Sequence, residues 1–448
     1  RRSVQFEVSP GSIPILRMLD GYEDFDGVSE VLDMLQGGFG LKDAPRLWNM
    51  VFSEVLTSLS YFPCQSDMEV MCKHVRRDGK LVLVGIVAKH VDDVKGAAEE
   101  QERESTLKSL EERFGKLKRE LGSFENVGIC YEQNLAERYI RTHQGNYIKQ
   151  IREMSVDSVA LAKPELDCDQ DQHATYLSLV GALAWCVLTV PAVAVCIAYL
   201  QRQVSAPKIS HCRDANRLVR YLHKLVRDND HALVFHALCP PLVLYAVGDS
   251  AFSAGEFEGL ALRGGFVLVA ERNSAASPRL GGKCQVLDFY CRKHSRVCRS
   301  TYTAELHNMI DIVNQSLLVR SMLIELDVGP LGPAKLAEIV DSGQHLIPVE
   351  GVVDARAVYD SITADVVKTP DDRHMLLHAL KLREWLDRGA LRAAWWCDTL
   401  DMVGDGMTKG SVDRSAIIRL CRDGVWDCTR EAVRWSSVET AVQQLGSA

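Results

Sequence analysis

Leu179 to Leu200, LVGALAWCVLTVPAVAVCIAYL, runs 22 residues without a charge, and any fold of this chain must give that stretch an apolar environment. A bilayer is one such environment, since about 20 apolar helical residues span its hydrocarbon core. Against a span stands Pro191 near the middle, which interrupts a helical hydrogen-bond ladder. Small residues dominate the segment (Gly181, Ala182, Ala184, Ala192, Ala194 and Ala198), and polar helical sequence follows directly. Two short helices meeting at Val190-Pro191 and buried in a soluble domain satisfy the same hydropathy. On hydropathy alone both readings stand.

The rest of the chain is ordinary globular sequence. Its 448 residues exceed what one hydrophobic core usually serves, so two or three domains are expected. Apolar residues at 47% and charged residues at 25% exclude disordered, collagen-like and coiled-coil architectures. The net charge of −8 advertises no polyanion partner globally, so a nucleic-acid surface would have to be a local basic patch. The 14 cysteines are scattered, with no C-x-x-C pair and no secretory signal, and read as reduced thiols. The chain opens Arg1-Arg2-Ser3 and is expected to be a fragment of a longer protein in an intracellular setting.

Along the chain, an acidic, turn-rich stretch (1–36) precedes a glycine-rich loop (Gly37 to Gly40) and, through Pro45, an amphipathic helix from about Arg46 to Leu59. A hairpin follows, with strands Glu69–Val75 and Leu81–Ala88 around the turn Arg77-Asp78-Gly79-Lys80. Leu107, Leu110, Phe114, Leu117 and Leu121 mark one apolar helix face. A short β region (Phe124 to Ile140) and a largely helical stretch to about Val226 come next. The main boundary is expected near Asn229 to Pro241. Beyond it, Leu242–Val247, Gly265–Ala270 and Cys284–Cys291 read as three consecutive strands, followed by alternating helix and strand, which is the order of a mixed α/β sheet.

Two acidic constellations stand out. Asp92-Asp93 ends an apolar strand, where adjacent carboxylates repel each other. Divalent cations remove that repulsion, because Mg²⁺ takes hard oxygen ligands, and two such ions serve phosphoryl transfer. Alone, an Asp-Asp pair simply ends a strand. The second constellation is Asp249 at a strand end, Glu305 opening a helix, Asp354 at another strand end, and Asp405 in Gly404-Asp405-Gly406-Met407-Thr408-Lys409. Each lies at an element end, where side chains of different elements converge.

The surrounding residues carry a resemblance. Gly38 to Trp48 (GFGLKDAPRLW), His90-Val91-Asp92-Asp93 and His143 to Ile148 (HQGNYI) occur in order, with YLSLVGAL from Tyr176 and ANRLVRYLHK from Ala215 beyond them. This resembles the reverse transcriptase of copia-type LTR retrotransposons. The four acids of the C-terminal half resemble those of the RNase H domain that follows that polymerase. The resemblance puts Leu179–Leu200 in a soluble helical connection and implies no membrane partner. It implies that Gly38 and Gly40 allow close backbone approach and that Lys42 and Arg46 meet phosphates, while Trp48 reads as core. It implies that Asp249 bridges two metal ions, that Glu305 and Asp354 complete one site, and that Asp405 helps hold the other. Asp92 and Asp93 would be polymerase metal ligands, with His90 in place of the family's tyrosine. A further family aspartate, in a strand upstream of the glycine-rich loop, has no counterpart in 1–36, since Asp20, Asp24 and Asp26 lie in turn-like sequence.

Other patterns carry less. Asp341-Ser342-Gly343 imitates an aspartic-protease motif but reads as a connecting loop, and His374 and His378 read as ordinary helix histidines. Ser250 lacks partners at nucleophile spacing. Two basic stretches are candidates for phosphate contacts: Arg202 to Arg227 with Lys208, Arg213, Arg217, Arg220 and Lys224, and Arg292 to Arg299 with Arg292, Lys293 and Arg296.

The expected architecture is multidomain α/β and α+β. It comprises a partial reverse-transcriptase fingers and palm (1–150), a helical thumb or connection (151–235), an RNase H-like mixed β-sheet domain (240–410) and a helical tail (411–448). The expected activity is hydrolysis of the RNA strand of RNA–DNA hybrids with Mg²⁺ or Mn²⁺, beside an incomplete polymerase region for RNA template, DNA primer and dNTP. The rivals are a catalytically inactive nucleic-acid-binding remnant and a protein anchored in a membrane by Leu179–Leu200.

Overall fold

A computed structural model describes residues 5–33, 42, 44–91, 93–252, 261–272, 278–343 and 347–437. The chain divides into two compact units. The first comprises residues 1–64 and 68–117, the second residues 65–67 and 118–448.

In the first unit, β1 (Gln5–Phe6), the short helix α1 (Ile13–Leu16) and β2 (Leu32–Asp33) precede α2 (Ala44–Ser58), and β1 pairs antiparallel with β2. Then β3 (Phe62–Pro63), β4 (Val70–Arg77), β5 (Lys80–His90) and β6 (Asp93–Ala98) form an antiparallel sheet in that order, followed by α3 (Glu100–Phe114). Phe52 and Leu56 of α2 and Leu110 of α3 bury against Tyr61, Met71 and Val87, and Trp48 joins them with its ring 4.9 Å from that of Phe114. The expected apolar helix face is cut short. α3 ends at Gly115, whose φ of +86° leaves the helical region at little cost in a residue without Cβ. Leu121, assigned to that face from its spacing, is exposed. β6 is a further strand, which turns back after Val91 to pair Asp93 with His90.

The second unit opens with β7 (Ser123–Asn126), β8 (Ile129–Asn134) and β9 (Tyr139–His143). Helices α4 (Gly145–Gln150), α5 (Ser158–Leu161), α6 (Gln170–Cys186), α7 (Ala194–Arg202) and α8 (Ile209–Arg227) follow, and β10 (Ala232–His236) completes a sheet of order β10-β9-β8-β7. The uncharged segment is thus two helices. α6 stops at Cys186, a single 3-10 turn runs from Pro191 to Val193, and α7 restarts at Ala194, because proline can open a helical turn but cannot continue one. Leu183, Val193, Ile197 and Leu200 bury against Leu218 and Leu222 of α8, and the Tyr176 hydroxyl donates to the Leu200 carbonyl at 2.8 Å. Among the described residues no helix is long and apolar enough to cross a membrane.

A seven-stranded sheet forms the remainder. β11 (Leu242–Ala251), β12 (Leu262–Glu271) and β13 (Gly282–Lys293) make an antiparallel meander. After α9 (Thr301–Val328) and α10 (Pro333–Ser342), β14 (Val349–Val353) joins β11 in parallel. After α11 (Arg356–Thr363) and α12 (Met375–Arg388), β15 (Ala393–Cys397) joins β14 in parallel. The chain ends its described course with α13 (Asp405–Thr408), α14 (Ser415–Asp423), β16 (Val425–Trp426) and β17 (Ala432–Trp435), giving the order β16-β13-β12-β11-β14-β15-β17. As a central strand, β11 is apolar on both faces. Leu244 and Ala246 enter the core under α9, whereas Val243, Tyr245 and Val247 enter the layer with Met407, Ile417 and Leu420. Asp341 and Ser342 close α10 and Gly343 caps it, so this tripeptide is a helix end.

Candidate functional site

Strand alternation continues through Gly248 to Asp249, which follows Val243, Tyr245 and Val247 on the same face of β11. The apolar positions that bury the strand therefore also carry this carboxylate to the sheet's end, where it is 1% exposed. Glu305 stands in the first turn of α9, a helix started by the Ser300 side chain accepting the Thr303 backbone N–H. Asp354 follows β14, which lies parallel to β11, so both strands deliver their C-terminal carboxylates to the same edge. One oxygen each of Asp249, Glu305 and Asp354 lies within 4.8 Å of the others.

Asp405 begins α13, which packs closely on β12. A Cβ on Gly264 would lie 2.5 Å from that of Met407, so this approach requires glycine there. The same segment reaches Asp249 twice. The Thr408 hydroxyl donates to Asp249 Oδ2, and Lys409 Nζ stands 3.6 Å from Asp249 Oδ1 and 2.5 Å from Asp405 Oδ1.

The electrostatics follow from burial. Removal from water raises the Asp249 carboxyl to about 7, helped by the charges of Asp354 and Asp405, while Lys409 and Thr408 pull the other way. Burial, then Asp249 and Asp354, raise Glu305 well above the usual carboxylate range. Burial raises Asp354 as well, against a hydrogen bond from the Thr399 hydroxyl. At Lys409 burial disfavours the ammonium, but Asp249 and Asp405 outweigh it and hold its pKa up. Two buried carboxylates and the partly buried Asp354 offer hard oxygen donors that suit Mg²⁺ or Mn²⁺, whose charge would offset both their burial and their repulsion.

A polar network behind the cluster was not read from the sequence. Ser250 donates its backbone N–H to Glu305 Oε1 at 3.1 Å. Asn308, fully buried, donates to the carbonyls of Asp249 at 2.6 Å and Gly264 at 2.9 Å, and accepts from the Tyr290 hydroxyl at 2.7 Å. Its one sequence signal is that it sits three residues after Glu305, on the same side of a helix. Ser250 does have a histidine partner, contrary to its spacing in sequence, because the meander brings His294 Nε2 to 3.0 Å from its hydroxyl oxygen. That hydroxyl donates to the Leu262 carbonyl at 3.1 Å, and both residues are buried, so the pair is a tether. Burial, then Arg263 and His307, depress His294 to about 3, so its imidazole is neutral.

The other candidates are dispersed. Gly38, Gly40 and Asp92 lie outside the described residues, and Lys42 and Arg46 are exposed at the start of α2. Asp93 is exposed where β6 begins. Arg213, Arg217 and Arg220 line the exposed face of α8, where Arg217 pairs with Asp214 at 3.0 Å and Arg220 pairs with Glu153. Arg292, Lys293 and Arg296 are exposed around the buried His294, and Arg292 stacks 4.6 Å over the Tyr290 ring. His378 packs against His307 with ring centroids 4.7 Å apart. Among the described residues the acidic triad is the one group of three or more ligands assembled for a metal.

Fold and site together define a mixed α/β protein with an acidic cluster of hard oxygen donors at the end of parallel strands. No protein-family model matches the chain. A Retrovirus-related Pol polyprotein from transposon RE1 of Arabidopsis thaliana is 23% identical over 402 residues, covering 87% of this chain and 24% of that protein. The chain spans about a quarter of the length of the curated relative it matches. The chain is thus distantly similar to a segment of a retrotransposon Pol polyprotein.

Proposed function

We propose that the chain is a retroelement-derived Pol segment whose 240–410 region is an RNase H-like nuclease, hydrolysing the RNA strand of RNA–DNA hybrids with Mg²⁺ or Mn²⁺. The observation that carries this is the convergence of Asp249, Glu305 and Asp354 from a central strand, a helix start and a parallel strand. The antiparallel β11–β12–β13 meander continued by parallel β14 and β15 supports the same reading, as does the distant Pol relative.

A divalent cation bound by the three carboxylates would polarise a phosphoryl oxygen and acidify a water for attack. The chain's own groups set the stage for that. Asn308 and the Ser250 N–H hold Asp249 and Glu305 in place. Thr408 fixes the orientation of the Asp249 carboxylate, and Lys409 brings a positive charge to the side where a phosphodiester would approach. Lys293 and Arg296, anchored by the Ser250–His294 tether, would track the phosphates of the bound duplex. The 2′-hydroxyl would distinguish the RNA strand.

The 1–150 region is proposed as a partial reverse-transcriptase palm without polymerase activity. Its Asp93 is exposed at a strand start, and β1 and β2 are two-residue strands with no buried aspartate. A second reading, the inactive remnant, is favoured by the pairing of Arg217 and Arg220 with the chain's own carboxylates Asp214 and Glu153.

Incubating the full chain with a labelled RNA–DNA hybrid tests the proposal. Expected is Mg²⁺- or Mn²⁺-dependent cleavage of the RNA strand alone, lost in Asp249→Asn and Asp354→Asn. A folded chain that leaves the hybrid intact in both metals would establish the remnant instead.

A further inference from the structure

The 405–409 segment occupies the flank of Asp249 that a second metal ion would need. A carboxylate that bridges two cations commonly turns one oxygen to each. Here Oδ2 accepts the Thr408 hydroxyl, and Oδ1 has the Lys409 ammonium at 3.6 Å. Asp405 stands outside the group of carboxylates whose oxygens close on one another, and its Oδ1 is engaged by the same ammonium at 2.5 Å. Lys409 lies one helical turn beyond Asp405, a spacing that favours such a pair, and its side chain is 34% exposed. A second divalent ion beside Asp405 and Asp249 would have to displace this ammonium or endure its repulsion.

We propose that Lys409 takes the place of a second cation. The site holds one divalent ion among Asp249, Glu305 and Asp354, and Lys409, held by Asp405, supplies the second positive charge that a bound phosphodiester meets. Asp405 is then a positioning residue for Lys409 and not a metal ligand. This inference rests on the metal-dependent reading of the site, and it replaces the two-ion arrangement that the sequence resemblance implies.

Mn²⁺ alone tests it, without substrate, by titrating the full chain and counting bound ions from the loss of the free-ion electron paramagnetic resonance signal. The wild-type chain is expected to take up one Mn²⁺ and Lys409→Met two, while Lys409→Arg, which keeps the charge, takes up one. Asp249→Asn should weaken the first ion by about tenfold or more. Asp405→Asn should cost that ion less than Asp249→Asn does, since Asp405 holds the lysine and not the ion. Circular dichroism confirms folding of each variant, and Asp405→Asn keeps the inference testable should Lys409→Met not fold. Two ions in the wild-type chain, one ion in a folded Lys409→Met, or an Asp405→Asn affinity as weak as that of Asp249→Asn overturns the role of Lys409 and leaves the metal-dependent reading intact. No uptake by any of these chains overturns that reading as well.

Discussion

Asn308 Nδ2 donates to the carbonyl oxygen of Asp249 at 2.6 Å, joining the first turns of α9 to the end of β11. Because that amide also serves Gly264 and Tyr290, every hydrogen-bonding group of its side chain is used and its orientation is determined. The strand end that carries Asp249 is therefore held from behind by neutral hydrogen bonds to its backbone and to that of Gly264.

Removing that support has a calculable cost. Asn308→Ala removes three hydrogen bonds at a fully buried position, two of them to backbone carbonyls, and should destabilise the protein by about 1–3 kcal/mol. Chemical denaturation measures this. Asn308→Asp should be worse in metal-free buffer, because it adds a carboxylate to a cluster that already repels itself.

Metal-free stability should fall as pH rises from about 4 towards neutrality. Asp249, Glu305 and Asp354 all have folded-state pKa values above their unfolded ones, with burial the leading cause. Between the two values the folded state binds more protons, so its stability declines as the groups ionise. Thermal melts from pH 4 to 8 in a chelator should show this decline, and Mn²⁺ should reverse it at the upper end. Asp249→Asn should flatten the metal-free profile, with a gain at pH 7.5 of about 2–4 °C for each kcal/mol of repulsion relieved. A profile that rises steadily to pH 8 in chelator contradicts it.

Primer extension by this chain should be absent with either Mg²⁺ or Mn²⁺. Asp93 stands exposed, and among the described residues it belongs to no group of three or more metal-ligating side chains. Extension that Asp93→Asn abolishes would show that the first unit is a complete polymerase site.

Hybrid affinity should depend more on the basic segment at the end of β13 than on the paired arginines of α8. Neutralising Arg217 and Arg220 removes charges already paired with Asp214 and Glu153, so the salt dependence of binding should change little. Neutralising Lys293 and Arg296 should lower the slope of log affinity against log salt by about 1 for each phosphate left without its cationic partner. Equal slopes for the two double variants would argue against this division.

Local sequence carried much of this architecture. Pro191 was sufficient to divide the uncharged run into two helices, because a missing N–H and a fixed φ act wherever the chain is placed. The unbroken apolar run Leu242–Val247 was sufficient to announce a buried strand, and period-two geometry carries one of its faces on to Asp249. Spacing failed where a single residue ended the pattern. Leu117 and Leu121 extend an apolar face on paper, but Gly115 had already left the helix.

The sequence by itself determined which carboxylates stand at element ends, since caps, turns and strand periodicity are local properties. Which of them meet was decided only by the tertiary structure. The parallel pairing of β11 with β14 delivers Asp249 and Asp354 to one edge, and α9 brings Glu305 within 4.8 Å. The close seat of α13 on Gly264 puts Asp405 beside a lysine and outside that triad. Likewise His294, 44 residues from Ser250, becomes its neighbour because β12 and β13 fold back on β11. Pairings of that separation depend on strand register and on how closely two backbones can approach, and neither is encoded in the few residues around each acid.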